Sequence, residues 1–332
     1  MSKVPSIFQG LRMPVIGSPL FIISNPKLVI EQCKAGIIGS MPALNARPVS
    51  QLDEWLAEIT EELDSYNARN PDHPAAPFAI NQNVHKTNKR LEKDMEICEK
   101  YKVPIIITSL GAREDVNDAV HSYGGVVLHD VINNTFAHKA IEKGADGLIA
   151  VAAGAGGHAG VKSPFALIQE IRQWFDGPLA LAGSIASGRA ILAAQVMGAN
   201  FAYIGTPFIA TYEANASDVY KQAILDSTSD DIVYSNLFTG VHGNYLAPSI
   251  RAAGLDVNNL PESDPSKMNF ARETKPWKDI WGAGQGIGTI NEITTTAAFI
   301  DKLYQEYIQT KQSLLKQMNS SDAASRLREQ SY

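Results

Sequence analysis

One histidine stands in the densest glycine run of the chain, Leu148-Ile149-Ala150-Val151-Ala152-Ala153-Gly154-Ala155-Gly156-Gly157-His158-Ala159-Gly160. An apolar strand leads into four glycines within seven residues. Such a backbone can approach a flat or anionic ligand closely, and His158 is the one side chain in the run able to exchange a proton near neutral pH. Its place at a strand end, where α/β enzymes keep their chemistry, makes a catalytic acid or base the expected role, against the alternative of a structural hydrogen-bonder.

Gly154-Ala155-Gly156-Gly157-His158-Ala159 also satisfies the GxGxxA pattern of dinucleotide folds. The context is wrong for one: Pro164 marks the next helix start, and the following strand ends in Ala182-Gly183 rather than in an acidic residue. Gly183-Ser184 and Gly205-Thr206 form a pair of glycine turns on consecutive strands, a pairing that in barrels cradles phosphate. The competing account is two tight turns with Ser184 or Ser187 as helix caps. Asn81 and Gln82 end a strand with amides that could meet the donor and acceptor edge of a heteroaromatic ring, or cap a turn. Asp130 could bind a hydroxyl or hold a loop, and Gln285 offers a polar group if the glycine-rich stretch 282–288 folds over the site. Pro19 and Leu20 follow the first strand, while His85 and Ser109 follow the third and fourth and are candidates to meet substrate. Neither the seven histidines nor Cys33 and Cys98 show metal-ligand spacing, so no metal is expected.

These residues need a scaffold that brings strand ends together. Eight β-rich runs alternate with helical patterns: Pro14–Gly17, Gly36–Gly39, Phe78–Asn81, Ile105–Ser109, Val126–His129, Gly147–Ala152, Leu179–Ala182 and Ala202–Gly205. Two helices end alike, at Lys143-Gly144 and Met197-Gly198, where a left-handed cap suits glycine. The expected fold is α/β, a (β/α)8 TIM barrel, with every strand's C-terminal end on one face. Residues 1–211 and 281–318 are expected to form the barrel and its C-terminal helix. Residues 212–280, which include His242, Asn244, Tyr245, Lys267 and Trp277, are expected to form a lid, and 319–332 a frayed tail.

Composition bounds the function. With 45% hydrophobic residues, 19% charged residues and a net charge of −6, the chain can fill a large core and shows no basic surface for nucleic acid. No run reaches the roughly 18 apolar residues of a membrane span. Two cysteines inside helical patterns read as free thiols of a reducing compartment, so a cytoplasmic protein is expected.

Taken together, the Phe78-Ala79-Ile80-Asn81 strand, Val103 to Gly111, the glycine-histidine run, Ala182 to Ala186, Ile204-Gly205-Thr206 and Gly282 to Gly286 resemble the nitronate monooxygenase family. The resemblance spans about Ile16 to Ile300. It implies an FMN-containing barrel with a small closing domain, which oxidises alkyl nitronates, and in some members nitroalkanes, with O2 to a carbonyl compound and nitrite. It further implies His158 as the active-site histidine. Pro19, Leu20, Asn81, Asp130, Gly156, Gly157, Gly183, Ser184, Gly205, Thr206 and Gln285 are the positions expected around FMN. Several relatives carry lysine where this chain has Asp130. The partners implied are a small-molecule substrate and O2, and a homo-oligomer is compatible with the sequence. The alternative is an NAD(P)H-dependent FMN reductase acting on quinones or enoyl thioesters, built on the same barrel.

Overall fold

A computed structural model describes residues 4–263 and 279–329, the last ten of these for the backbone only. Eight parallel strands form one sheet: β1 (Val15–Gly17), β2 (Gly39–Pro42), β3 (Phe78–Asn83), β4 (Ile105–Ser109), β5 (Val126–Val131), β6 (Gly147–Val151), β8 (Leu179–Ala182) and β9 (Phe201–Ile204). Their order, β1-β9-β8-β6-β5-β4-β3-β2, leaves β1 and β2 as the two ends. A bridge between Ile16 and Ile38 joins those ends and closes the barrel, with Gly17 N donating to the Ile38 carbonyl at 2.8 Å.

Alternation along the strands sorts the core. Ile16, Ile105, Ile107, Leu128, Ile149 and Phe201 fill the barrel interior, and Phe8, in a short N-terminal helical turn, plugs its base against Phe201 with ring centroids 5.0 Å apart. Out-facing residues such as Val15, Ile80, Ile106 and Leu148 pack under the helices. The second strand lies later than the residue pattern suggested. Gly36 to Ile38 complete a turn with Gly36 at φ +89°, and only from Gly39 does the chain pair with β3. Ile37 is buried ahead of the strand, and Ile38 pairs with Ile16 of β1 before the ladder with β3 begins.

The helices follow their caps. Asn25 accepts from Leu28 N at 3.0 Å and sets Pro26 at the first position of Pro26–Lys34, while Ser187 does the same for Gly188–Met197, accepting from Ala190 N at 3.2 Å. Gly198 at φ +113° and Gly144 at φ +91° end their helices in the left-handed conformation that their positions indicated. The outer ring is completed by the C-terminal helix Thr296–Glu329, which packs on Gly188–Met197 and Pro26–Lys34. Its backbone remains helical through residues expected to be a frayed tail, to Glu329.

Between β9 and that closing helix the chain inserts an elaboration. The helix Asp218–Leu225, expected with the lid, packs on the barrel's outer core through buried Tyr220 and Ile224. A separate three-stranded antiparallel sheet joins β10 (Ile232–Ser235), β11 (Gly243–Leu246) and β7 (Gly157–His158) over a small cluster of Tyr245, Ile250 and Ile280. Lys267 and Trp277, expected in the lid, lie outside the described residues.

At Gly188 the closing helix comes too near for a side chain. An added Cβ would lie 2.2 Å from Tyr307 N and 2.4 Å from the Leu303 carbonyl oxygen, and the Gly188 N–H donates to Glu306 Oε2 at 2.8 Å. Gly188→Ala is therefore expected to destabilise the protein by about 1–3 kcal/mol through overpacking, read as a lower urea midpoint.

Candidate active site

The C-terminal strand ends open into a cavity of about 1050 Å³. Its wall includes Pro19 and Leu20 after β1, Asn81 and His85 from β3 and its loop, Ser109, Asp130, the run Gly154 to Ala159, and the Gly183-Ser184 and Gly205-Thr206 turns. The residues singled out on the eight strand ends are thus brought to one chamber, with two amides excepted. Gln82 faces the opposite side of β3, where it is fully buried and donates to Cys98 Sγ at 3.4 Å. Gln285 stands outside the cavity wall, exposed, with its backbone N donating to the Gly154 carbonyl at 2.9 Å.

The glycine-histidine segment is clamped on two sides. Gly157 and His158 form a strand, not a loop, pairing with Asn244 and Gly243 of β11. Asn244 Nδ2 donates to the Ala155 carbonyl at 2.6 Å, Ala159 N to the His242 carbonyl at 3.3 Å, and the Tyr234 hydroxyl to the Ala159 carbonyl at 3.0 Å. On the other side lies the 282–286 segment. A Cβ on Gly156 would meet Ala283 C and Gly284 N at 2.9 Å, and one on Gly284 would meet the Gly154 carbonyl oxygen at 2.6 Å. The space beside Gly156 is filled by the 283–284 backbone, and that beside Gly154 by the side chains of Ser184 and Gln285. Both glycines also line the cavity.

The two turns after β8 and β9 divide the roles left open by sequence. Ser187, and not Ser184, caps the helix. Ser184 holds φ +57°, an unusual conformation for a residue with a side chain, and it is exposed to the cavity. Gly183, at φ +128°, has no space for a Cβ, which would sit 2.7 Å from the Ala153 carbonyl oxygen. Thr206 Oγ1 accepts from Gly284 N at 2.9 Å and so pins the 282–286 segment.

Across the cavity, a hydrogen-bonded chain links three strand ends. Asn81 Nδ2 donates to Ser109 Oγ at 2.7 Å, and the Ser109 hydroxyl donates to Asp130 Oδ2 at 2.5 Å. Burial pushes the Asp130 carboxyl up to about 6, with the Ser109 hydrogen bond opposing. Burial also drives Tyr203, on β9, well above the ordinary tyrosine range, with the Asp130 charge adding to the shift. The imidazoles move the other way: desolvation lowers both His129 and His158 to about 4. His129 is a structural neighbour, its Nδ1 lying 2.6 Å from Thr108 Oγ1. His158 Nε2 lies 3.0 Å from Thr239 Oγ1 of the lid. Cys33 and Cys98 are buried free thiols raised to about 12, which leaves them unreactive.

The family model described as nitronate monooxygenase matches residues 6–306. The chain belongs to the nitronate monooxygenase family. A nitronate monooxygenase of Paraburkholderia phytofirmans is 25% identical over 289 residues, covering 74% of this chain and 77% of that protein. Across the first curated relatives the match spans 60% to 77% of their length. Among solved structures, FabK from Thermotoga maritima aligns with TM-score 0.77 and 22% identity over 95% of this chain and 99% of its own. A nitroalkane oxidase from Streptomyces ansochromogenes aligns with TM-score 0.76 and 20% identity over 93% and 100%. At these identities the structures show the shared barrel alone. Among the described residues no helix is long and apolar enough to cross a membrane, and no group of three or more potential ligands is placed to hold a metal.

Several site residues of this family member were missed by sequence reasoning. Tyr203 was legible in principle, since inward alternation on β9 with Phe201 points it into the barrel. Thr239 and Asn244 carried no local signal, because they reach the site through pairing between segments some 80 residues apart.

Two outcomes are expected. Histidine ring resonances of His158, followed by NMR, stay those of a neutral imidazole from pH 8 to pH 5 and titrate with a midpoint near 4. Gly156→Ala, which sets a methyl against the 283–284 backbone, lowers stability by about 1–3 kcal/mol in chemical denaturation.

Proposed function

We propose that this protein is a flavin-dependent oxidoreductase of the nitronate monooxygenase family, converting alkyl nitronates, and nitroalkanes after loss of an α-proton, with O2 to a carbonyl compound and nitrite. The observation that carries this reading is His158, kept neutral by burial and held on the wall of the strand-end cavity by the lid sheet. A neutral imidazole at neutral pH is a competent general base.

The chamber suits a flavin, FMN in particular. Its volume of about 1050 Å³ is ample for a planar cofactor with substrate beside it, and one wall offers Asp130 Oδ1, a buried acceptor with no hydrogen-bond partner among the described residues. Ser184 and Thr206, on adjoining turns, would hold the phosphate, and Asn81, Ser109 and Asp130 would meet the ring system on the far side. When bound, the flavin supplies electron acceptance and the reaction with O2, chemistry that no side chain provides.

The protein's own part is positional and acid–base. For a neutral nitroalkane, the His158 imidazole takes the α-proton; for a nitronate, already an anion, it donates a hydrogen bond without adding charge. Leu237, Phe238 and Val241 of the lid and Ile132 and Phe136 near β5 give the cavity an apolar border that limits water around the reacting carbon.

Purified protein mixed with propionate 3-nitronate, with nitroalkanes, with NADH and with NADPH, while flavin absorbance is followed, tests the assignment. Flavin reduction by nitronates and nitroalkanes is expected; rapid anaerobic bleaching by a nicotinamide, with no response to nitronates, would assign the reductase activity instead. His158→Asn is expected to keep bound flavin and lose roughly 10²–10⁴-fold in nitroalkane turnover, the range for loss of a general base. Undiminished turnover would remove His158 from the mechanism.

A further inference from the structure

Among the described residues Asp130 is the one carboxyl of the cavity wall, and its two oxygens are in unequal situations. Oδ2 accepts the Ser109 hydroxyl, whose own oxygen is held by the Asn81 amide, so the direction of donation runs from Asn81 through Ser109 to Asp130. Oδ1 is buried and has no partner among the described residues. A buried polar atom without a partner costs free energy that a bound ligand group can recover. Because Oδ2 already receives a proton donor, a proton added to the carboxyl belongs on Oδ1, where it can be given to a ligand.

We propose that Asp130 works as a carboxylic acid: it presents an Oδ1–H donor to an acceptor atom on the edge of the bound flavin, and flavin binding therefore draws a proton onto the protein. The inference rests on the flavin reading above and assigns to Asp130 a protonation state and a direction of hydrogen bonding. The surroundings agree with it. Burial already favours the neutral form, placing the carboxyl near 6 in the free protein. Among the described residues, Tyr203 faces it from β9, and His85, Lys139 and His158 line the same cavity from three other segments. His129, next to it on β5, turns to Thr108. Since Tyr203 is neutral and His129 and His158 are lowered to about 4, none of these three supplies a positive charge that would keep Asp130 ionised above pH 5.

Riboflavin and FMN binding, measured by fluorescence quenching from pH 5 to pH 8.5, decides the matter; riboflavin serves because it lacks a phosphate that itself titrates near pH 6. The wild type is expected to lose about tenfold in riboflavin affinity for each pH unit above about 6. Asp130→Asn, whose amide presents an N–H donor and cannot ionise, is expected to bind with little pH dependence and to exceed the wild type above pH 7. Calorimetry in two buffers of different ionisation enthalpy should show proton uptake for the wild type at pH 7.5 and none for the variant. Infrared difference spectra should contain a protonated-carboxyl C=O band in the wild type at pH 5 that Asp130→Asn lacks. Failure of both proteins to bind riboflavin or FMN at every pH sinks the flavin reading. Flavin bound by both with the same pH profile leaves that reading standing and overturns the role given to Asp130, as does the lack of a carboxyl band at pH 5 in a wild type that binds flavin.

Discussion

The backbone from Gly154 to Ala159 is held from two directions at once, and the rest of the site depends on that constraint. On one side it is a strand edge for the lid, paired with Gly243 and Asn244. On the other it lies within van der Waals reach of the 283–284 backbone, with Thr206 fastening that segment in turn. A run of glycine would otherwise be the most mobile part of the chain. Here its lack of side chains lets three stretches of backbone close on one another, and rigidity follows from the same residues that would have given flexibility. His158 inherits a fixed place from this packing, since its own main chain belongs to the lid sheet. The 232–246 hairpin accordingly braces the histidine segment.

Much of this architecture was legible in the residues, and the limits have a common cause. Signals carried by a few consecutive residues held up: the β-rich run Ile105 to Ser109, Ser187 as one of two candidate caps, the left-handed glycines at 144 and 198. The second strand begins later than the pattern because Ile37 is buried ahead of it and Ile38 pairs with β1 alone, the ladder with β3 starting at Gly39. Burial and strand pairing leave the same mark on short apolar runs. The C-terminal helix Thr296–Glu329 runs past Met318, where polar composition suggested a tail.

The site followed the same division. Strand-end position alone identified its wall, because in a closed parallel barrel topology carries those residues to one face. Which way each side chain turns was harder to read. Asn81 and Gln82 are adjacent amides on one strand, and period-two geometry sends the first to the cavity and the second to Cys98. Contacts of Thr239 and Asn244 with the histidine segment had no trace in sequence, since a strand of two residues has no period to detect.

Desolvation then does to the cavity's charges what packing does to its backbone. The same loss of water raises a carboxyl, lowers two imidazoles and raises a phenol, so each group moves toward its uncharged form. A chamber whose titratable groups lean to neutrality holds an anionic substrate differently from one lined by fixed cations. It gains affinity from directed hydrogen bonds and gives up long-range attraction, and it keeps a histidine deprotonated where a positive neighbour-free pocket in water would leave it partly charged at pH 6. Under the proposed function, a neutral His158 is free to accept a proton from carbon. Burial of His158 also weakens it as a base, since a general base works best with a pKa near the working pH; what burial supplies in return is a neutral side chain at every pH above about 5.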